Sequence, residues 1–158
     1  MSIEQARLHL NKYGIADRIQ QFEVSSATVE LAAKALGCEM CMIAKSLTFS
    51  VDGGAVMVVA AGDAKVDNRK FKDFFGTKAK MLTPEEATEL VGHMVGGVCP
   101  FGVKDGVRIY LDISMKRFEY IYPAAGSSNS AIKLSLDELE KVSEALKWID
   151  VCKLPEGV

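Results

Sequence analysis

The sequence predicts an α/β (α+β) fold in which a mixed, strongly curled and barrel-like β-sheet is surrounded by helices. Strand patterns outnumber helix patterns, and helices interrupt the strands irregularly, which is typical of a mixed rather than an all-parallel sheet. The length of 158 residues suits one domain with a sizeable core. No internal repeat or linker divides the chain. We therefore expect a single domain over residues 1–158, with the tail after about residue 148 peripheral.

The first third of the chain predicts two helices and a short strand. A helix is expected over residues 3–12, a strand where Phe22 and Val24 alternate with polar residues, and a second helix ending at Gly37. Serines precede both helices and can cap their first turns: Ser2 for the first helix, and Ser25 or Ser26 for the second.

A β-hairpin is predicted at the centre of the fold. A strand over residues 44–51 leads into the turn Asp52-Gly53-Gly54, and a wholly apolar strand follows over residues 55–61. Such a continuous apolar run is typical of a central strand covered on both faces. Lys45 lies at the start of the first strand, on the same side as its apolar residues. A lysine there either meets an anion, reaches water, or protects a sheet edge.

Further elements follow at short intervals. Helices are expected over residues 67–75 and 84–91 and from residue 136 to about residue 147, the last two opened by capping boxes at Thr83 and Ser135. Short strands are expected over residues 78–82, 107–113, 118–122 and 130–134, with a turn of helix as an alternative near residue 115.

Composition limits the function classes. The hydrophobic fraction of 49% and charged fraction of 25% are ordinary for a globular protein. No apolar run approaches the ~20 residues of a membrane helix, and the N-terminus lacks a signal pattern, so we expect a cytoplasmic protein without a membrane partner. A net charge of −2 argues against a protein that coats nucleic acid through its overall field, and we expect no DNA partner.

Histidine and cysteine supply few candidate catalytic groups. Cys38 and Cys41 form a C-x-x-C without a second pair or a nearby histidine, which favours two packed thiols over a zinc or redox site. Cys99 is also expected to be packed. His93 can act as an acid or base, or bind helix-terminal carbonyls. We expect no metal and no cofactor.

A glycine-rich segment is the strongest candidate for a binding site. It is too apolar for a linker and too rich in glycine for an ordinary strand. Such backbone suits close approach to a ligand, with amides free to donate, or a tight bend at a sheet corner. The segment reads Val95-Gly96-Gly97-Val98-Cys99-Pro100-Phe101-Gly102.

A basic stripe interrupts the acidic chain between residues 65 and 80. It can hold a few phosphates, or it can be a solvated helix face. Its basic residues are Lys65, Arg69, Lys70, Lys72, Lys78 and Lys80, against Asp67 and Asp73.

The motifs together resemble the YbaK family, the free-standing relatives of the editing domain of bacterial prolyl-tRNA synthetases. Residues 43–47, Ile-Ala-Lys-Ser-Leu, resemble the family's I-x-K-[ST]-L segment, and residues 95–102 resemble its G-G-[IV]-x-P-[FL]-G signature. Gly62-Asp63 follows in the family's order, and the resemblance covers roughly residues 20–147. It implies an aminoacyl-tRNA deacylase that acts in trans on mischarged tRNA, typically tRNA(Pro). The implied partners are the acceptor end of the tRNA and, as a candidate, prolyl-tRNA synthetase.

The resemblance also implies site residues. Lys45 would hold the terminal phosphate or ribose, and the amides of Gly96, Gly97 and Val98 would bind the carbonyl oxygen of the ester. Lys45, Gly96 and Gly97 are thus the predicted catalytic residues. The predicted substrate contacts are Phe22, Met42, Gly62, Asp63, Val98, Cys99, Pro100, Phe101, Gly102, Gly126, Ser127 and Ser128.

Departures from the family pattern leave two questions open. Ala124, Ala125 and Ala131 stand where some branches carry polar groups, and Phe22 replaces the tyrosine of the cysteine-editing branch. The rejected amino acid can therefore be alanine, serine, cysteine, threonine or 2-aminobutyrate. The alternative function is a non-catalytic module that binds a tRNA end or nucleotide in a regulatory role.

Overall fold

Short helices and strands alternate along residues 2–158, the part of the chain that this computed structural model describes. The helices of this part are α1 Ser2–Asn11, α2 Val29–Leu36, α3 Asn68–Phe75, α4 Pro84–Leu90 and α5 Leu136–Ser143. Its strands are β1 Gln20–Gln21, β2 Ile43–Val51, β3 Gly54–Ala61, β4 Lys65–Val66, β5 Arg108–Asp112, β6 Tyr120–Pro123, β7 Ser130–Ala131, β8 Leu134–Ser135, β9 Lys147–Ile149 and β10 Cys152–Lys153. The expected cap of α1 by the Ser2 side chain lies outside the described atoms.

The hairpin β2–β3 forms the centre of a six-stranded sheet. Asp52 and Gly53 both have positive φ, 51° and 77°, as a two-residue hairpin turn requires. The strands run in the order β8-β6-β2-β3-β5-β9. β2–β3 and β6–β8 are antiparallel, whereas β2–β6, β3–β5 and β5–β9 are parallel. The sheet is therefore mixed, and it curls into a half-barrel within a single α/β domain, as predicted.

The core lies on both faces of the hairpin. Every residue of β3 from Val56 to Ala61 is fully buried, which confirms the expectation of a central strand. α3 covers one face through Phe71, whose ring lies 4.8 Å from that of Phe49. Asp67 caps α3, and Gly76 ends it with a φ of 76°. The capping boxes of α4 and α5 are both present.

Several element boundaries differ from the sequence predictions because tertiary pairing decides them. Thr28 caps α2, while the amide of Ser26 donates instead to the carbonyl of Ser128, 2.6 Å away. β1 precedes the predicted strand at Phe22. Residues 78–82 are extended along β2 but form only an isolated bridge, at Met81. The predicted strand 130–134 splits into β7 and β8, which pair with β1 and β6 respectively.

The C-terminal tail is paired and packed: β9 belongs to the six-stranded sheet, and β10 forms a separate two-stranded sheet with β4. The prediction of a peripheral tail after about residue 148 is therefore wrong. β9 pairs in parallel with β5, and β10 pairs with β4. The amide of Val151 donates to Asp112, and the Val151 side chain is fully buried. α5 consequently ends at Ser143, four residues earlier than expected.

Within residues 2–158, none of the helices combines the length and apolar character needed to cross a bilayer.

Candidate active site

A cavity of about 340 Å³ opens between β2, α2, α4 and the glycine-rich segment. Small apolar side chains leave this space unfilled, and hydroxyl groups are distributed among them. Alanine and valine lining residues are Ala27, Val29, Ala32, Ala44, Ala87, Val95, Val98, Ala124 and Ala131. The remaining lining residues are Ser26, Thr28, Ile43, Lys45, Ser46, Thr48, Met81, Leu82, Thr83, Pro84, Gly96, Tyr122 and Ser130.

Lys45 is the only lysine among the residues that line this cavity. Its Nζ donates to the carbonyls of Gly62, at 3.4 Å, and of Ala64. The side chain is half-buried, and the loss of hydration lowers the pKa of Lys45 below its ordinary value. Because an ammonium group has three N–H donors, one donor is left for a ligand.

The first half of the glycine-rich segment lies at the cavity. Val95, Gly96 and Val98 line it, and Gly96 has a φ of 94° that disfavours other residues. The amides of Gly96 and Val98 have no hydrogen-bond acceptor within residues 2–158. The amide of Gly97, in contrast, donates to the carbonyl of Met94 at 3.0 Å. The expectation that Gly97 offers a free amide is therefore wrong.

The second half of the segment is core rather than cavity wall. Cys99, Pro100 and Phe101 are buried and do not line the cavity. Gly102 packs against the backbone of Gln5 in α1. These residues, which were predicted to contact substrate, instead anchor the segment to the domain. The apolar side chains pack in the core, and Gly102 packs against α1.

The loop over residues 126–128 supports the segment from behind. A Cβ on Gly97 would lie 2.6 Å from the amide nitrogen of Ser127, so the two backbones touch there. Ser127 Oγ donates within its own loop, to Ser130 Oγ at 2.7 Å. Gly126, Ser127 and Ser128 therefore do not line the cavity, although their neighbours Ala124 and Ser130 do.

The other predicted contacts lie away from the cavity wall. Phe22 donates its amide to Asn129 beside β7, and Met42 lies in a turn of 3-10 helix before β2. The carbonyl of Gly62 accepts from Lys45, as described above. Asp63 forms an ion pair with Arg117, with Oδ1 and Nη2 2.6 Å apart. The cavity is thus shaped by residues other than these.

The sequence predictions missed the walls contributed by α2 and α4. Thr28, Ala32 and Ala87 belong to ordinary helix patterns, and nothing in those patterns indicates a ligand. Ser46 and Thr48 could have been predicted as candidate site residues. They alternate with the apolar residues of β2, so their hydroxyl groups share the other face of the strand. The hydroxyl of Ser46 is buried without a hydrogen-bond partner in the described part of the chain.

His93 and Cys99 form a buried pair that does not line the cavity. His93 Nε2 donates to the carbonyl of Phe101 at 2.7 Å, and Cys99 Sγ lies 3.6 Å from the same nitrogen. Burial lowers the pKa of His93 and raises the pKa of Cys99 to about 12. Both groups are therefore neutral near pH 7, and the expectation of a packed Cys99 is confirmed.

The remaining cysteines show no sign of metal chemistry. Cys38 and Cys41 are partly buried, and loss of hydration raises the pKa of both thiols. Across residues 2–158, no group of three or more His, Cys, Asp or Glu side chains is arranged to hold a metal ion.

The basic stripe separates into paired and unpaired cations. Lys70 donates to Asp150 and to the carbonyl of Cys152, both at 3.0 Å. Arg69, Lys72 and Lys78 are exposed around a surface hollow and form no ion pair with any described residue. Lys78 lies three residues before Met81 in the sequence, and residues 81 and 82 line the cavity.

The half-barrel matches the fold of an editing domain, and comparison with known proteins gives the family. The family model for the aminoacyl-tRNA editing domain matches residues 23–142. The chain therefore belongs to the aminoacyl-tRNA editing domain family.

Similar proteins include free-standing and synthetase-linked relatives. Uncharacterized protein YwhH of Bacillus subtilis (strain 168) is 49% identical over 154 residues, covering 97% of this chain and 98% of YwhH. The proline–tRNA ligase of Thermosipho melanesiensis (strain DSM 12029 / CIP 104789 / BI429) is 30% identical over 132 residues, or 82% of this chain but only 23% of the ligase. The chain thus spans about a quarter of the ligase's length.

A solved structure shares the fold closely. It is described as a candidate trans-editing enzyme for prolyl tRNA synthetase, and it superposes with a TM-score of 0.86 at 27% sequence identity. The match covers 96% of this chain and 97% of that protein.

Proposed function

We propose that this protein is a trans-editing deacylase that hydrolyses mischarged tRNA(Pro) carrying a small or medium amino acid. The observation that carries the proposal is that Lys45 and the unpaired amides of Gly96 and Val98 all belong to residues that line one cavity. Family membership and the trans-editing neighbour support the reaction class. The likeness to proline–tRNA ligases supports the choice of tRNA.

The reaction is hydrolysis of an already activated ester. The oxygen of a water molecule, activated by the substrate's own hydroxyl where this is in reach, adds to the carbonyl carbon and loses its proton. The bond to the ribose oxygen then breaks, that oxygen takes up a proton, and free amino acid and tRNA are released. Positioning alone supplies much of the acceleration in such a reaction, so no strong protein nucleophile is needed.

The cavity residues divide the work between binding and charge stabilisation. The amides of Gly96 and Val98 stabilise the negative charge that develops on the carbonyl oxygen of the ester. The free donor of Lys45 binds the terminal phosphate or the ribose, because a charged donor makes the stronger hydrogen bond to an anion. Gly97 contributes by holding the segment in place rather than through its amide.

The size of the cavity selects the amino acid. Its many alanines leave room for a short side chain: alanine, serine, cysteine, threonine or 2-aminobutyrate. A second site of this kind is needed because one methylene contributes only ~1–3 kcal/mol of discrimination in a synthetase pocket. The unpartnered Ser46 hydroxyl is available to bind a polar atom of the amino acid.

The acceptor end of the tRNA binds along the basic stripe, and a synthetase partner delivers the tRNA. Arg69, Lys72 and Lys78 supply unpaired positive charge next to the cavity segment. A chain of net charge −2 has little general attraction for RNA, which makes delivery by prolyl-tRNA synthetase advantageous.

A non-catalytic binding module is the second candidate. Ala124 and Ala131 line the cavity without supplying a polar side chain, which favours binding over chemistry.

A panel of mischarged tRNAs distinguishes the two. Purified protein is incubated with tRNA(Pro) carrying each of the five amino acids, and with correctly charged tRNA(Pro), and release of labelled amino acid is followed. A deacylase accelerates the loss of at least one non-cognate ester and spares the cognate one. Binding without accelerated release of any ester would overturn the proposal in favour of the module.

A further inference from the structure

The Lys45 ammonium is held by one tight turn. The amide of Ala64 donates to the carbonyl of Ala61 at 3.0 Å, which closes the turn after β3. Both acceptors of the ammonium, the carbonyls of Gly62 and Ala64, belong to this turn. Gly62 also packs against the carbonyl of Met40 so closely that a Cβ has no room. The geometry of the turn therefore sets the position of the ammonium.

Arg117 fixes the same turn from outside. Its Nη1 and Nη2 donate to the two carboxylate oxygens of Asp63, at 3.0 and 2.6 Å. Its Nε donates to the carbonyl of Ser114 at 2.8 Å, and the guanidinium lies over the Phe118 ring. Two parallel bonds of this kind define an orientation that a single contact cannot. The side chains of Arg117 and Asp63 are only 24% and 19% exposed, so solvent competes weakly.

A second tie joins the turn to the same segment. Ser114 Oγ accepts from the amide of Ala61 at 3.1 Å. Ser114 is itself fixed by Asp112, whose carboxylate accepts from the Ser114 amide at 2.9 Å. The short helical segment over residues 113–117 thus supports both the start and the middle of the turn.

We propose that Arg117 is a positioning residue for Lys45: its paired bonds to Asp63 fix the turn whose carbonyls hold the ammonium. Asp63 then supports the site without touching substrate. The catalytic consequence rests on the proposed function, whereas the effect on Lys45 does not.

The first test measures Lys45 directly, without substrate. Lysine side chains are isotopically labelled, the Lys45 signal is assigned by its loss in Lys45→Met, and its titration is followed by NMR. The ionisable groups that act on this ammonium are Cys152, Asp63, Lys65 and Glu30. Arg117→Gln is expected to return the titration of Lys45 toward that of an ordinary lysine, because the turn no longer holds the ammonium in a dry position.

The matched control is Arg18→Gln. Arg18 also binds a carboxylate through two bonds, to Glu138 at 2.6 and 3.1 Å, but at the start of α5. This variant is expected to leave Lys45 unchanged. Arg117→Lys, which keeps the charge but loses the paired geometry, should give an intermediate titration and serves if Arg117→Gln does not fold. An unchanged Lys45 titration in the folded Arg117 variants would overturn the proposal.

The second test separates positioning from general loss of structure. Arg117→Gln is expected to lower the deacylation kcat by about 10- to 100-fold with a smaller change in KM. Arg117→Lys should recover part of the lost kcat, and Arg18→Gln should leave kcat unchanged. An equal loss of kcat in Arg117→Gln and Arg18→Gln would overturn the proposal. If the unmodified protein cleaves no ester, the proposed function fails, and the NMR titration still decides the role of Arg117.

Discussion

Steric clash, rather than backbone conformation, prevents substitution of Gly97. Its φ lies outside the left-handed region, but a Cβ would stand 2.6 Å from Ser127 N and 2.7 Å from Gly126 C. Both obstacles are backbone atoms, which cannot rotate away. The residue therefore sets the distance between the glycine-rich segment and the loop behind it, and so the shape of the cavity.

Gly97→Ala tests this contact. We expect a loss of ~1–3 kcal/mol in the free energy of unfolding, because the added methyl forces the two backbones apart. Chemical denaturation measures it. Gly54→Ala is the control, since a Cβ there meets only the carbonyl of Val51, at 3.7 Å. Equal stability of the two variants would show that the contact is not tight.

His93 makes stability depend on pH. Burial lowers its pKa in the folded state, so below pH ~6.5 the unfolded chain binds a proton that the folded chain resists. The contribution of His93 to the free energy of unfolding is therefore complete above the pKa that His93 has in the unfolded chain. This contribution is lost as the pH drops below that value. Denaturation at pH 7 and pH 5.5 measures the fall. His93→Gln keeps a donor for Phe101 but cannot titrate, and it should reduce the fall; the same fall in both proteins would contradict the assignment.

At the scale of elements, the sequence predicted the turns and helix ends that are determined by neighbouring residues. The hairpin β2–β3, the caps of α3, α4 and α5, and Gly37 as the left-handed end of α2 all follow from residues adjacent in sequence. The two- and three-residue strands at the C-terminus could not be predicted, because so short a strand has no periodicity. Their partners, β4 and β5, lie tens of residues earlier.

The candidate site also has residues that local motifs predict and residues that only tertiary packing determines. Lys45 and Gly96 carry recognisable motifs, and both lie at the cavity. Cys99 and Phe101 belong to the same motif but enter the core, because the direction of each side chain depends on what the segment packs against. The contributions of α2 and α4 arise only when these helices meet across β2, and a helix pattern does not contain that information.

A pair of truncations tests the corrected C-terminus. Removing residues 150–158 deletes β10 and the buried side chains of Val151 and Cys152. We expect a loss of several kcal/mol, since burying one such side chain contributes ~1.5–3 kcal/mol. Removing only residues 156–158, which are exposed, should change nothing. Thermal unfolding measures both, and equal melting temperatures would restore the expectation of a peripheral tail.

At the scale of the whole molecule, charge is distributed unevenly rather than in excess. The protein has a net charge of −2, yet Arg69, Lys72 and Lys78 are exposed and unpaired by the described residues. In the proposed function, local charge of this kind holds phosphates while the rest of the surface attracts RNA only weakly. The position of Lys78, three residues before Met81 at the cavity rim, links this surface to the site.

Salt dependence of tRNA binding tests that link. Replacing Arg69, Lys72 and Lys78 by alanine should weaken binding and reduce the slope of log affinity against log salt, by up to about two units for single-stranded contacts. A triple alanine variant at Lys12, Lys104 and Lys141 makes the same change in net charge elsewhere. If both triple variants lose the same slope, overall charge and not the stripe determines binding.

The most direct test of the account is the rate at which Lys45→Ala releases amino acid from mischarged tRNA(Pro), measured in a single turnover with excess enzyme. Lys104→Ala is the control, because Lys104 also donates to a backbone carbonyl, that of Glu89 at 2.7 Å, but does not line the cavity. We expect Lys104→Ala to match the unmodified protein and Lys45→Ala to fall to the spontaneous rate, with the fold intact by circular dichroism. A folded Lys45→Ala that releases amino acid at the unmodified rate would contradict the assignment of this cavity as the active site.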